Sequence, residues 1–215
     1  MNWQAVFFDF DGVILDSVHV KTEAFAKMFL KYGTDIEKKV VEYHLKNGGI
    51  SRFEKFRYYY KDLLNREITD KKLKQLGEVF TKLVLKGVLE SPFIDGVMDT
   101  LKQLRNNKIP AYIVSGTPDD ELDFIVKKKN LSSFFNEVHG SPRQKSEIIN
   151  NILKDNNYKS DKCLFIGDAM SDHKAAYETG VCFLGIVKDC EKSPFPEKTI
   201  ISHSVKSFNR QYLSI

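Results

Sequence analysis

Apolar positions along this chain change their spacing twice. Ala5-Val6-Phe7-Phe8 is an unbroken apolar run that stops at Asp9, Asp11 and Gly12, as a buried strand does when it ends in a polar loop. From about Ser17 to Glu90 the interval becomes helical. Phe25, Met28, Phe29 and Tyr32 recur at that spacing, then Phe53, Phe56 and Tyr60, then Leu73, Leu76, Phe80 and Leu83-Val84. No convincing strand interrupts them, and the Phe53 to Tyr60 stripe reads as helix-packing core. After Ser91-Pro92 strands and helices alternate. Helices are expected over Asp95–Asn106, Asp119–Lys129, Gln144–Asn156 and Ser171–Thr179. Between them, strands are expected over Pro110–Val114, Glu137–His139, Lys162–Ile166 and Val181–Ile186. Such alternation predicts a parallel sheet covered by helices on both faces, with ligands bound beyond the carboxyl ends of the strands.

Composition narrows the class. At 42% hydrophobic and 29% charged residues, the 215-residue chain can bury a core and stay in solution. The net charge of +4 is modest, and the lysine runs Lys71-Lys72 and Lys127-Lys128-Lys129 read as solvated helix faces. No basic stripe with interleaved aromatics points to nucleic acid. No apolar stretch reaches the length of a membrane span, and the start lacks the pattern of a secretory signal. Cys163, Cys182 and Cys190 are an odd set without metal-ligand spacing. The first and second lie in strand-like runs and read as small core residues. A reduced, cytoplasmic protein is expected, as a monomer or weak dimer.

The polar residues at the strand ends carry the chemistry. Asp9, Ser115 and Asp168 follow three different strands, so the topology brings them to one rim of the sheet. Asp9, Asp11 and Asp168 would repel one another there, and a hard divalent cation such as Mg²⁺ relieves that repulsion. Carboxylates with Mg²⁺ suit an anionic oxygen substrate, phosphate above all. Ser115 can offer its hydroxyl and the following N–H groups to phosphate oxygens, and Gly116 lets the backbone approach. Lys145, opening a helix, can bring positive charge to the phosphate and to Asp9. An ionised Asp9 is a competent nucleophile. Asp11 can protonate a leaving oxygen and then activate water. Asp16 and Ser17 read as caps of the next helix, and His19 and His139 as ordinary residues.

The segment Phe8-Asp9-Phe10-Asp11-Gly12-Val13-Ile14-Leu15-Asp16-Ser17 resembles the first motif of the haloacid dehalogenase superfamily of phosphohydrolases. Ile113-Val114-Ser115-Gly116-Thr117 resembles the second motif, Lys145 the third, and Gly167-Asp168-Ala169-Met170-Ser171-Asp172 the fourth. The resemblance implies a Rossmann-like core in residues 1–16 and 91–215 and a mobile, all-helical cap in 17–90. It makes Asp9 the nucleophile, Asp11 the general acid/base, Ser115 the phosphate holder and Lys145 the charge stabiliser. Mg²⁺ would lie between Asp9, the Asp11 backbone carbonyl and Asp168, with Asp172 acting through water or outer contacts. The family's dehalogenases lack this acidic set, so dehalogenation is set aside. Asn47-Gly48-Gly49-Ile50-Ser51-Arg52 is similar to the Gly-x-Ser-Arg loop of the beta-phosphoglucomutase-like branch. The likeness makes Arg52 a substrate-reading residue, with His44, Lys46 and Asn47 as weaker candidates. One departure stands out: Lys21 occupies the place where the mutases carry a histidine.

Together these features imply a Mg²⁺-dependent phosphatase of a small phosphorylated metabolite, such as a sugar phosphate or phosphoglycolate. A phosphosugar mutase using the same phosphoaspartate is the alternative. A receiver-like signalling module is disfavoured by the insertion after the first strand, and an inactive scaffold by the intact motif set.

Overall fold

The computed structural model describes residues 3–189 and 192–205. Six parallel strands form one sheet: β1 (Ala5–Phe8), β2 (Ala111–Pro118), β3 (Glu137–Ser141), β4 (Cys163–Gly167), β5 (Cys182–Ile186) and β6 (Ile201–Ser202). Their spatial order is β3-β2-β1-β4-β5-β6, with all pairings parallel. The first strand is therefore central, and the order reverses on either side of it. An α/β fold with a Rossmann-like sheet is thus present.

Period-two alternation assigns the two faces. Val6, Phe8, Ile113, Leu164 and Ile166 look to one side, where Leu101, Leu104, Leu122 and Ile125 cover them. These four come from α5 (Val97–Asn106) and α6 (Asp119–Lys128). Ala5, Phe7, Tyr112, Val114 and Phe165 look to the other side, against Ile148, Ile149, Ile152, Ala175 and Ala176. Those residues belong to α7 (Lys145–Asp155) and α8 (Met170–Thr179). All four residues of β1 are completely buried, which explains why its sequence is apolar without alternation.

Between β1 and α5 the chain forms α1 (Val18–Phe29), α2 (Thr34–Lys46), α3 (Arg52–Tyr58) and α4 (Asp70–Glu90), and no strand. A single wider turn over Tyr59–Leu63 continues α3. The helical spacing of the aromatics is satisfied here: Phe25 meets Phe80 at 4.3 Å between ring centroids, and Phe29 meets Tyr59 at 5.0 Å. Edge-on and tilted contacts of this kind add to area burial. The same apolar cluster reaches Phe8 and Ile113 of the sheet. Among the described residues no helix is long and apolar enough to cross a membrane.

Three expectations need correction. The second strand runs on past Ser115 to Pro118, with a register shift against β3 between Val114 and Pro118; Pro118 sits where the strand ends, so its missing N–H does little harm. Cys163 is buried, but Cys182, at the first position of β5, is exposed. Ser17 occupies the N-cap position of α1 without donating or accepting a cap bond; its hydroxyl has another partner. Cys190 lies outside the described residues.

Candidate active site

The site lies at the carboxyl ends of β1, β2 and β4. Asp9 leaves β1 with its N–H still donating to the Ile166 carbonyl of β4 at 2.9 Å. This bond fixes the side chain at the rim. Its Oδ1 accepts from the Phe10 N–H at 2.7 Å, and its Oδ2 lies 3.0 Å from Lys145 Nζ. Lys145, the first residue of α7, also donates to Asp172 Oδ1 at 2.5 Å. Asp172 is fully buried and accepts from the Ala169 N–H at 3.1 Å through Oδ2. One residue thus closes the N-terminus of α8 and anchors the lysine.

Asp168 stands just beyond β4. Asp9, Asp168 and Asp172 can each place one oxygen within 4.8 Å of the others. The close approach depends on Gly12, which has φ +85° and would, with a Cβ, press to 2.1 Å from Asp168 Oδ2. Burial, and then the charge of Asp172, pushes the Asp9 carboxyl up to about 7. Burial, and then Asp9, raises that of Asp168 well above the carboxylate range. The pKa of Lys145 is raised as well, which for a lysine keeps the charge: burial disfavours it, but Asp172 and Asp9 outweigh that. One lysine does not balance three carboxylates. Hard oxygen donors with residual negative charge fit a Mg²⁺-type cation.

Asp11 stands apart from that cluster. Ser17 Oγ donates to its Oδ1 at 2.6 Å, Lys21 Nζ to its Oδ2, and Thr117 Oγ1 to Oδ2 at 3.1 Å. Lys21 also donates to Thr117 Oγ1 at 2.7 Å. Burial favours protonation of Asp11, but the Lys21 charge and these hydrogen bonds prevail and lower its pKa. Lys21 and Thr117 are partners that sequence reasoning did not assign. The available signal was that Lys21 lies one helical turn beyond Ser17, on the face of α1 that meets Asp11.

Ser115 is buried within β2, its Oγ accepting from the Thr117 N–H at 3.2 Å. Gly116 faces the Gly48-Gly49 segment. A Cβ on Gly116 would lie 2.3 Å from the Gly49 carbonyl oxygen, so this contact requires glycine. Ser171 Oγ donates to the Gly48 carbonyl at 2.9 Å from the other side. The helical insertion is closed over the rim and encloses a cavity of about 120 Å³. Asp9, Asp11, Ser115, Gly116 and Asp168 line it from the sheet side, and Lys21, His44, Arg52 and Lys55 from the helical side.

Ser51 caps α3 by accepting from the Phe53 N–H at 3.3 Å, which sets the direction of Arg52. The Arg52 guanidinium meets Glu121 of α6 in a two-pronged pair, Nη1 to Oε2 at 2.8 Å and Nη2 to Oε1 at 2.5 Å. It also reaches Thr81 Oγ1 at 2.9 Å and stacks over Phe80. Arg52 therefore lines the cavity while its fork is engaged by the neighbouring helix.

The family model for haloacid dehalogenase-like hydrolases matches residues 6–186. The chain belongs to that family. A curated relative, phosphoglycolate phosphatase 1 of Pseudomonas aeruginosa, is 26% identical over 184 residues. That match takes in 82% of this chain but 66% of the relative, just under two thirds of its length. Among solved structures, beta-phosphoglucomutase from Clostridium difficile superposes with a TM-score of 0.79 at 19% identity, over 98% of this chain and 95% of that one. A predicted phosphatase from Clostridium acetobutylicum superposes with a TM-score of 0.76 at 16% identity over the whole of both chains. At these identities the structural likeness is one of fold. Of the four motif positions, Asp9, Ser115 and Asp168 line one cavity in this chain, and Lys145 stands behind Asp9, paired with its Oδ2.

Proposed function

We propose that this chain is a Mg²⁺-dependent phosphatase that hydrolyses a small phosphorylated metabolite through an aspartyl phosphate on Asp9. The observation that carries the reading is that two carboxylates of one cavity are held differently: Asp9 pairs with Lys145 through its Oδ2, while Asp11, two residues on, pairs with Lys21, which favours its ionised form. Core and insertion act as catalytic domain and cap. The cytoplasm is the compartment that fits best.

Asp9 attacks phosphorus, and the bond between phosphorus and the ester oxygen breaks. The ester oxygen leaves with a proton delivered by Asp11. Asp11 then takes a proton from water as that water attacks the aspartyl phosphate, which releases inorganic phosphate and restores Asp9. The carboxylate form of Asp11, which the Lys21 pairing favours, is the one that serves the second step. Lys21 must loosen its hold for Asp11 to carry the proton needed in the first. Ser115 and the N–H groups around Gly116 hold non-reacting phosphate oxygens. Lys145 offsets the charge that builds on them. Asp9, Asp168 and the Asp11 backbone carbonyl would hold Mg²⁺, with Asp172 acting from outside, and the ion would supply Lewis-acid polarisation of the phosphate. Arg52 contributes to the substrate-facing wall, and it would contact substrate directly by exchanging Glu121.

The insertion packed over the rim would limit the access of bulk water to the acyl phosphate. Phosphate release from a panel of phosphorylated acids and sugars, with and without Mg²⁺, tests the proposal. Free phosphate dependent on the metal supports it; an isomerised sugar phosphate without phosphate release would instead make the chain a mutase.

A further inference from the structure

Among the described residues, every buried or half-buried cation at the cavity or directly behind it has an acidic partner except one. Lys21 pairs with Asp11, Lys145 with Asp9 and Asp172, and Arg52 with Glu121. Lys55 of α3 is 3% exposed, yet among the described residues no carboxylate stands within ion-pair distance of it. Its ammonium donates to His44 Nδ1 at 2.8 Å and to the His44 carbonyl at 3.5 Å, and it lies 5.7 Å from the centre of the Phe25 ring. His44 cannot neutralise it. Burial, and then the charge of Lys55 itself, pushes the imidazole down to about 3, so the ring is a neutral acceptor. Lys55 is in turn driven down to about 7, by burial first and by Lys21 second.

An ammonium taken out of water without a counter-charge is costly, and ordinary packing would place an apolar side chain there. The helical wall adds no acid of its own. Its titratable residues at the cavity are Lys21, His44, Lys46, Arg52 and Lys55, while every carboxylate lining the cavity, Asp9, Asp11 and Asp168, comes from the sheet side. The sheet side is thus arranged for a metal and a reacting phosphate, and the helical side for a second negative group.

We infer that Lys55, oriented by His44, is the recognition residue for a second anionic oxygen group, a carboxylate or a phosphate, at the non-reacting end of the substrate. The inference rests on the phosphatase reading and names its substrate class: a short phosphate monoester with a second anion. Binding such a substrate supplies the counter-charge that the chain itself withholds from Lys55, so discrimination against a neutral tail is built into the cost of leaving that site empty.

The test is phosphate release by the whole chain with Mg²⁺ from three short esters: 2-phosphoglycolate, propane-1,3-diol bisphosphate and 2-hydroxyethyl phosphate. The first and third differ only in a carboxylate against a hydroxymethyl group. Wild type should show a higher kcat/KM for one or both doubly anionic esters, and the better of the two identifies the group. In Lys55→Met the ratio of kcat/KM, anionic over neutral, should fall by about 10- to 100-fold, chiefly through KM, the scale of a hydrogen bond to a charged group. Lys55→Arg should keep part of the ratio. Thermal melting of each variant reports its fold, and the wild-type ratio needs no variant at all. No preference in wild type, a preference that survives Lys55→Met, or an equal loss for all three esters would overturn this assignment alone. No phosphate release from any phosphorylated compound would overturn the phosphatase reading and this inference with it.

Discussion

The pair Arg52–Glu121 joins two parts of the chain 69 residues apart, and its removal should have a cost that can be worked out in advance. Both side chains are buried, at 5% and 8% exposure. Glu121 accepts two bonds from the guanidinium and a third from Thr81 Oγ1 at 2.6 Å. A paired, hydrogen-bonded charge in such a site is worth little net, but a charge stripped of its partner is not. Glu121→Leu leaves the guanidinium buried against Phe80 with no carboxylate to pair with. Arg52→Met leaves a buried carboxylate with one hydroxyl donor. Each single change should destabilise the protein by about 3–5 kcal/mol. The double change Arg52→Met, Glu121→Leu should restore most of it, since no lone charge remains. Urea unfolding of the four proteins gives the coupling directly. The pair also has a pH signature. The charge and hydrogen bonds of Arg52 outweigh burial and lower the Glu121 pKa in the folded protein. The stabilisation is therefore complete above the ordinary glutamate pKa and is lost as pH falls through the lowered folded value. The single variants should lose this acid limb. Single variants within about 1 kcal/mol of wild type, or a double variant as unstable as the sum of the singles, would refute the reasoning.

Three further outcomes follow from the geometry. Chelation should abolish turnover reversibly, and Ca²⁺ should substitute poorly because its larger and looser shell misplaces the phosphate; full activity in excess chelator would contradict this. Lys21→Met removes the charge that orients Asp11 and should lower kcat by roughly 10- to 100-fold with a smaller change in KM, measured by steady-state phosphate release. Gly116→Ala sets a methyl group against the Gly49 carbonyl; a displaced insertion should cost on the order of 10-fold or more in kcat/KM while the melting temperature changes little.

The sheet and the gathering of Asp9, Ser115, Lys145 and Asp168 at one end of it were legible because both signals are local. Strand residues alternate or run apolar over a few positions, and Asp9, Ser115 and Asp168 each follow such a run directly. Lys145 was legible as the first residue of a periodic helix. What escaped is through-space pairing. The spacing of Ser17 and Lys21 puts them one helical turn apart, but nothing in it says that Thr117 joins them on Asp11, because Thr117 is brought there by the β1–β2 pairing. A cap position at Ser17 was the local reading, and a stronger acceptor won its hydroxyl. Arg52 read as a fork open to substrate because Glu121 is remote in sequence and adjacent only once α3 packs on α6. Likewise nothing in the sequence around Lys55, between Glu54 and Phe56, sets it apart from the other lysines. Its burial appears only when α1 and α2 close around it with Phe25 and His44.

The covalent step is the account's central claim, and acid-quenched mass spectrometry tests it most directly. The protein is mixed with a substrate found by the phosphate-release panel and Mg²⁺, stopped in acid within the first turnover, and digested. The account predicts a phosphoryl group on the peptide that carries Asp9, absent in Asp9→Asn, whose phosphate release should also fall by about 10³-fold or more. Rapid turnover with Asp9 unmodified at every time point, or a phosphoryl group on a different residue, would contradict it.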